Sequence, residues 1–416
     1  MDNTSLAIGS IFKNEAPYIV EWLAYHRVMG VEKFFIADNV SNDATTLILQ
    51  GLNKLGLLTH IYFPTEGGAP PQLPAYRQIM EKYGSEAEWF AFIDADEFIF
   101  PIQHSKKINE VISSIVQGSE NAGALALNWA SYGSNHHKNY DAKPVVERFQ
   151  TRGFKDFEVN KHYKTLVKSE AYLSTGENPH FFQLKEGYHY IDSKGDLLQE
   201  DKQGRKGISN EVCWDNIRLN HYIIKSYEEF VAKRNRGRAT VATSAGLNRT
   251  DAFFFGHNKN DEREVFPEDL LLRVKAEIDR IESKLVELGL PKDVLLKAEK
   301  PAGEHAVGFV DKAIVNPHKI EFHGWAFFPS GKPGFLTAKA GSKTIPIFSY
   351  TRINRQDVLN NVPGATLGVG FRIEILTADA LKYAKDSEIT ISLFSEENTF
   401  SLKPSAGYVA PILEGL

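Results

Sequence analysis

Short apolar runs and helically spaced apolar residues alternate along the first hundred positions. Leu6-Ala7-Ile8-Gly9-Ser10-Ile11-Phe12 is a strand-length apolar run. Beyond Lys13-Asn14-Glu15-Ala16-Pro17, residues Ile19, Val20, Trp22, Leu23 and Val28 recur at three-to-four spacing. That predicts a helix capped by Asn14 and ended by Gly30. Residues 33–39 form a second strand ending near Asp38. The turn cluster Ser41-Asn42-Asp43 leads into a helix over 44–55, and a third strand covers 60–63. A Gly/Pro loop over 66–74 and a helix over 75–83 lead to Glu88-Trp89-Phe90-Ala91-Phe92-Ile93-Asp94-Ala95-Asp96-Glu97. Three strand–helix alternations imply an α/β fold with a mainly parallel sheet. Ligands of such sheets sit beyond the carboxyl ends of the strands, the edge where Asn14, Asp38, Asp94 and Asp96 fall.

Asp94, Asp96 and Glu97 place three carboxylates within four positions at a strand end. They repel one another unless a cation or a proton sits among them. Hard cations such as Mg²⁺ and Mn²⁺ take such oxygens, usually few from protein and the rest from phosphate and water. An Asp-x-Asp arises by chance about once in a chain of this length at roughly 5% Asp usage. Its weight therefore comes from its place after an apolar strand. Asp38 taken alone reads better as a turn-forming residue.

Ile8-Gly9-Ser10-Ile11-Phe12-Lys13-Asn14-Glu15, Glu21-Trp22-Leu23-Ala24-Tyr25-His26 and Gly30-Val31 resemble the opening of the glycosyltransferase family 92-like group, relatives of family 2. Phe35-Ile36-Ala37-Asp38-Asn39 resembles the group's nucleotide-binding strand, and Phe92-Ile93-Asp94-Ala95-Asp96-Glu97-Phe98 its metal motif. The resemblance implies a GT-A (Rossmann-like) fold, a nucleotide-sugar donor, a divalent cation and inversion at the anomeric carbon. On it, Asn14 and Asp38 contact the nucleoside side, and Asp94 and Asp96 the metal and diphosphate. His221, in Asn220-His221-Tyr222, is a late metal ligand, and Lys164 lies in a block whose basic residues line the diphosphate. Gln72 and Arg77 stand where the group places donor contacts, with helix-surface polarity an equal alternative. Glu97, Asp156 and Glu158 are the candidates for the catalytic base; Glu97 is better suited to supporting the metal or binding acceptor.

Other polar positions carry less. His136 and His137, being adjacent, point to opposite faces of a strand and read best as an exposed loop. His180 reads best as a core or loop residue. Residues 192–210 lack periodicity and read as a flexible connection. Ser226 and Glu229 have capping-box spacing. Lys233, Arg234, Arg236 and Arg238 suit either a diphosphate or acidic acceptor, or plain solvation.

An amphipathic helix from Pro267 to Leu288 and a Pro/Gly stretch over 298–304 precede seven short β segments, which predict a C-terminal β-sandwich. The expected division is 1–258 catalytic, 259–304 helical linker and 305–416 accessory sandwich. Gly324-Trp325-Ala326 and Gly370-Phe371 resemble a β module appended to some bacterial glycosyltransferases. Trp325 suits core burial better than sugar stacking.

Composition changes this picture little. The 416 residues are 42% hydrophobic and 24% charged, and the net charge of -5 speaks against general nucleic-acid binding. Cys213 is the only cysteine, which excludes intramolecular disulfides and favours a reducing compartment. The first five residues lack a basic signal region, and no run of 18 apolar residues occurs. The expectation is a cytoplasmic enzyme, peripheral at the inner face of the cell membrane. It would move a hexose, galactose being one candidate, from a UDP-sugar to a glycan or glycolipid acceptor in bacterial surface polysaccharide or lipopolysaccharide synthesis. Oligomeric state stays open. A sugar nucleotidyltransferase is the enzymatic rival, but the first strand lacks a Gly-rich phosphate loop. A non-catalytic glycan-binding protein is the other, and the intact acidic cluster opposes it.

Overall fold

The structure is a computed structural model. It describes residues 4–41, 43–64, 70–235, 251–295, 307–328, 335–340, 343–361, 368–384, 388–394 and 399–404. Arg236, Arg238 and the stretch 298–304 lie outside the described residues. The chain divides into two compact units, 1–298 and 299–416.

The first unit opens with β1 (Leu6–Phe12), α1 (Ile19–Val28), β2 (Lys33–Asp38), α2 (Thr45–Lys54), β3 (Thr59–Tyr62) and α3 (Gln72–Tyr83). Next come β4 (Trp89–Phe92), β5 (Glu97–Pro101), α4 (Ile108–Val116), β6 (Ala122–Ser131), α5 (Val145–Arg148), β7 (Thr151–Arg152) and β8 (Tyr163–Lys168). The rest is β9 (Tyr172–Thr175), β10 (Phe182–Leu184), β11 (His189–Ile191), β12 (Ile217–His221), α6 (Tyr227–Asn235), α7 (Asp251–His257), β13 (Glu262–Arg263), α8 (Glu268–Glu287) and α9 (Lys292–Leu295). The main sheet has the order β3-β2-β1-β4-β8-β6-β12-β5, with β11 also on β6. β1, β2, β3 and β4 pair in parallel, as does β12 with β6. β8 and β5 run against their neighbours. This is the mainly parallel α/β architecture expected.

Alternate residues of each strand serve opposite faces. Ile8, Phe34, Ile36, Trp89 and Ala91 join the core that includes α1, α2, α4 and α8. Ala7, Ile11, Phe35, Phe90 and Phe92 pack with Ala75, Tyr76 and Ile79 of α3 on the other side. Leu270, Val274, Ile281 and Leu285 of α8 are wholly buried in the first core, and Arg27 of α1 bonds Glu277 of α8 at 3.0 Å. The expected linker at 259–304 is thus, over its described length, part of the first unit: its apolar stripe covers α1 and α2.

Two other local expectations change. Asn14 is not a cap: α1 begins at Ile19, and Asn14 takes a left-handed φ of 54° with its N–H donating to Ser41 Oγ at 3.1 Å. Residues 192–210 are tied rather than loose. Asp192 accepts three backbone N–H bonds, and bridges join Ile191 to Leu197 and Glu200 to Ser209.

Among the described residues β5 pairs with a strand on one side only. Side chains of α1 take up groups on the other. Trp22 Nε1 donates to Glu97 O at 2.9 Å and Tyr25 OH to Ile99 O at 2.8 Å, while Ile99 N–H donates to His26 Nε2 at 3.3 Å. His26 Nδ1 lies 2.8 Å from Trp22 O, so the ring is the neutral Nδ1–H tautomer. Burial pushes its pKa down to about 3.

The second unit holds β14 (Val307–Val315), β15 (Lys319–Phe327), β16 (Phe335–Ala340), β17 (Lys343–Ile345), β18 (Ser349–Ile353), α10 (Gln356–Asn361), β19 (Gly370–Leu376), α11 (Thr377–Tyr383), β20 (Ile389–Phe394), β21 (Thr399–Ser401) and β22 (Lys403–Pro404). Its sheets, β18-β19-β15-β14-β22 and β17-β16-β20-β21, share one core through Ile320, Phe322, Phe371 and Ile373 on one side and Ala338, Ile391 and Leu393 on the other. That is the expected sandwich. The segment expected as a strand over 344–348 keeps only the end of β17, which stops before Pro346, and β18 begins beyond it at Ser349. Trp325 is buried with Phe327, Val358 and Val369.

Two outcomes follow. Gly9 pairs with Phe92, and a Cβ there would meet the Phe92 ring at 2.5 Å. Gly9→Val should cost about 1–3 kcal/mol in urea unfolding, as overpacking does. The unfolded chain binds a proton at His26 below its ordinary pKa of 6.5 that the folded chain refuses down to about 3. Stability should therefore fall as pH drops through that window. His26→Gln, which keeps a donor and an acceptor, should flatten the slope between pH 5 and 7.5; an unchanged slope would refute the neutral-His26 assignment.

Candidate active site

The carboxyl end of β4 turns through Asp94, Ala95 and Asp96 into β5. Glu97 N–H donates to Asp94 O at 3.1 Å, and Asp94 N–H donates to Glu97 Oε2 at 2.7 Å, so the turn closes on itself. Ser10 Oγ of β1 donates to Ile93 O at 2.6 Å, and Tyr222 N–H to Asp96 O at 2.9 Å. β8 is antiparallel to β4, so its beginning reaches the end of β4. This brings wholly buried Lys164 to 3.1 Å from Asp94 Oδ2 and 3.8 Å from Glu97 Oε2. β12 pairs His221 with both Glu97 and Ser131.

Each carboxylate has its own company. Asp94 Oδ1 accepts from Gln72 Nε2 at 2.8 Å and from Tyr76 OH at 3.4 Å, and its side chain is 36% exposed. Asp96 is ion-paired with Lys233 Nζ of α6, and His221 Nε2 lies 3.6 Å from Asp96 Oδ1. Glu97 is fully buried; its Oε1 and His221 Nδ1, 4.0 Å apart, have no hydrogen-bond partner among the described residues. The His221 ring packs on Trp129 at 4.3 Å.

Burial favours the neutral form of every group here, and neighbouring charges decide the outcome. Burial would raise the Asp94 and Asp96 carboxyls; Lys164 outweighs it at Asp94, and Lys233 with His221 at Asp96, so both stay below the usual carboxylate range. Glu97 goes the other way: burial pushes it up to about 8 although Lys164 opposes. Burial lowers His221 to about 4 despite Asp96. At Lys164, burial is outweighed by Asp94 and Glu97, which hold the ammonium protonated.

The other expected residues divide. Gln72 reaches the cluster, together with Tyr76 one helical turn on. Arg77, one position further round α3, is exposed and is not part of it. Asp38 is fully buried. Its carboxylate accepts from Ser41 N–H at 3.1 Å, Ser41 Oγ at 2.7 Å and Thr46 Oγ1 at 2.5 Å, so it fixes the turn after β2 rather than facing outward. Burial would raise it; His60, Thr46 and Ser41 bring it down to about 2. Asn14 lines a cavity of about 250 Å³ with Asp43, Lys225 and Lys233. Asp156 and Glu158 are exposed on the loop before β8, Glu158 paired with Lys161 at 2.8 Å, and no hydrogen bond or ion pair joins them to the acidic turn. His136 is exposed; His180 Nδ1 lies 2.8 Å from Tyr163 O, beside Trp129.

Sequence reasoning missed Tyr76, Trp129 and Lys225. Tyr76 had a readable signal, its i+4 spacing from Gln72. Lys225 has φ of 54° and sets its ammonium 4.2 Å over the Tyr18 ring. The Ser226–Glu229 capping box forms, with reciprocal bonds of 3.1 and 3.3 Å. Glu229 also takes a buried bidentate bond from Arg148 at 2.7 and 2.9 Å, anchoring α6 and with it Lys233.

Among the described residues no three His, Cys, Asp or Glu side chains gather as a metal cage. Asp96 and His221 do suit an ion as a pair. Adjacent ligands around an octahedral Mg²⁺ or Mn²⁺ stand roughly 3 Å apart, close to the 3.6 Å seen. Phosphate oxygens and water would complete the shell, and Lys233 would yield its Asp96 oxygen. Asp94 is held by Gln72, Tyr76 and Lys164 instead.

The sequence profile for glycosyltransferase family 92 matches residues 4–236. A glycosyltransferase family 92 protein of Ricinus communis is 26% identical over 238 residues, 56% of this chain and 38% of its own length. One of Arabidopsis thaliana is 25% identical over 244 residues, with the same coverage of 56% and 38%. The chain thus spans well under half the length of these curated relatives. Among solved structures, S. aureus TarS has a TM-score of 0.30 at 11% identity, covering 97% of this chain and 78% of that one. TarS 1–349 in complex with UDP-GlcNAc has 0.32 at 12%, covering 68% and 71%. Likenesses this slight say nothing further of this chain.

Lys164→Met leaves Asp94 and Glu97 without their ammonium. It should cost about 3–5 kcal/mol in urea unfolding at pH 8, and less at pH 5, where the abandoned Asp94 carboxyl can take up a proton. An equal loss at both pH values would show that Lys164 matters for its packing rather than its charge.

Proposed function

We propose that this chain, which belongs to glycosyltransferase family 92, transfers a sugar from a nucleotide diphosphate donor to a glycan or glycolipid acceptor, with a divalent cation held by Asp96 and His221. The carrying observation is the acidic turn at the carboxyl edge of the sheet, met there by Lys164, Lys233 and His221. Mn²⁺ or Mg²⁺, when bound, supplies Lewis-acid stabilisation of the leaving diphosphate.

The chain's own groups do the positioning. Lys233, once off Asp96, and Lys225 both line the cavity that Asn14 borders, and offer ammonium groups to phosphate oxygens. Asp94, oriented by Gln72, Tyr76 and Lys164, presents its half-exposed carboxylate to the donor sugar. Burial pushes the Glu97 carboxyl up, which suits it to hydrogen bonding within the site rather than to the role of base. The donor we favour is a UDP-hexose, galactose being one candidate, with inversion at the anomeric carbon. A chain with a single cysteine suits a reducing compartment. We place the reaction at the cytoplasmic face of a membrane, where a glycolipid acceptor would be met.

Calorimetric titration with UDP tests this. Mn²⁺ should tighten UDP binding about tenfold or more, and Asp96→Asn or His221→Ala should remove the gain while UDP alone still binds. Absence of any UDP binding would sink the donor assignment; binding indifferent to Mn²⁺ in the wild type would sink the metal assignment.

A further inference from the structure

A second cavity, of about 650 Å³, lies at the other end of β5 and β12. Arg218 opposes Phe100 there, whereas His221 opposes Glu97 at the acidic end. Three residues of strand, roughly 10 Å, separate the two positions.

Its polar lining is a set of planar groups in near charge balance. Glu264 accepts from Arg218 Nη2 at 2.5 Å and from Arg152 Nε at 2.6 Å, and Arg152 Nη1 also pairs with Glu262. The two guanidinium groups lie 4.9 and 5.1 Å from the Trp214 ring, which fixes their planes. Arg152 Nη2 and Arg218 Nη1 make no bond to the described protein, and neither is sealed from solvent. Glu262, with a side chain 41% exposed, keeps one carboxylate oxygen free. Ile102, Pro267 and Val265 add apolar surface, and Val265 is 60% exposed.

Fixed donors beside a free acceptor, with an apolar wall, match vicinal hydroxyls and the C–H face of a sugar ring. Two arginines set against two glutamates leave little net charge for an anion; the other basic groups of the lining are the exposed Arg263 and His104, which faces Asp269 at 3.8 Å. We propose that this cavity is a saccharide-binding subsite that takes a neutral stretch of the acceptor. Naming the occupant as acceptor rests on the glycosyltransferase reading; binding itself does not.

The test uses the full chain and neutral hexasaccharides of glucose, galactose or N-acetylglucosamine, with binding followed by saturation-transfer NMR and calorimetry. At least one should bind, saturating UDP should not displace it, and Val265→Trp should weaken it about tenfold or more with UDP affinity unchanged. Failure of all three sugars, or binding unaffected by Val265→Trp, would overturn the proposal. Displacement by UDP would move the saccharide to the donor edge and overturn it too. Inorganic phosphate binding that is lost in Arg263→Ala and competes with the sugar would make the cavity an anion site instead. Saccharide binding without any UDP binding would uphold the subsite and sink the donor reading, so the two fail separately.

Discussion

Three carboxylates in four residues cannot be buried together unless positive charge or a proton is brought to them, and the first unit is arranged around that requirement. Lys164 arrives from β8, Lys233 from α6 and His221 from β12. Each depends on a different part of the topology. The reversal of β8 brings Lys164 to the end of β4. The parallel β6–β12 pair sets His221 beside Ser131. The Arg148–Glu229 pair anchors the helix that carries Lys233. Glu97, with the least compensation and no exposure, has its carboxyl pushed up by burial.

The turn is held on its outer side as well. Trp22, Tyr25 and His26 of α1 take up backbone groups of β5, the strand that leaves the acidic turn for the sheet edge. An edge strand with satisfied groups is protected from wrong pairing, and here the same bonds fix where β5 begins. α8 then covers α1, so its burial bears on the site through two layers of packing.

Unequal environments give neighbouring carboxylates different uses. Asp94 is oriented and half exposed, Asp96 faces a histidine across a gap suited to an ion, and Glu97 is closed in. At the opposite end of β5 and β12 the charges are already matched within the protein, Arg152 and Arg218 against Glu262 and Glu264. One end of these strands therefore gathers carboxylates that need outside charge, and the other holds its charges already balanced.

Much of the scaffold was legible before any coordinates. Alternating apolar runs, the strand ending in Asp94 and Asp96, the Ser226–Glu229 cap and the C-terminal strands all rest on local periodicity or local bonds, which neighbouring residues set. Gln72, Lys164 and His221 came from resemblance and do meet the acidic turn. Asn14 does not cap α1, which begins only at Ile19, and the Asp38 carboxylate is taken up by Ser41 and Thr46 from the loop and helix after β2. Arg77, Asp156 and Glu158 had suitable chemistry, but helix rotation and loop exposure keep them from the turn. Which distant residue neutralises which carboxylate was a matter for the tertiary structure alone. Lys164 stands 70 residues from Asp94, and Lys233 stands 137 from Asp96; only strand order and helix packing bring such charges within a few ångströms.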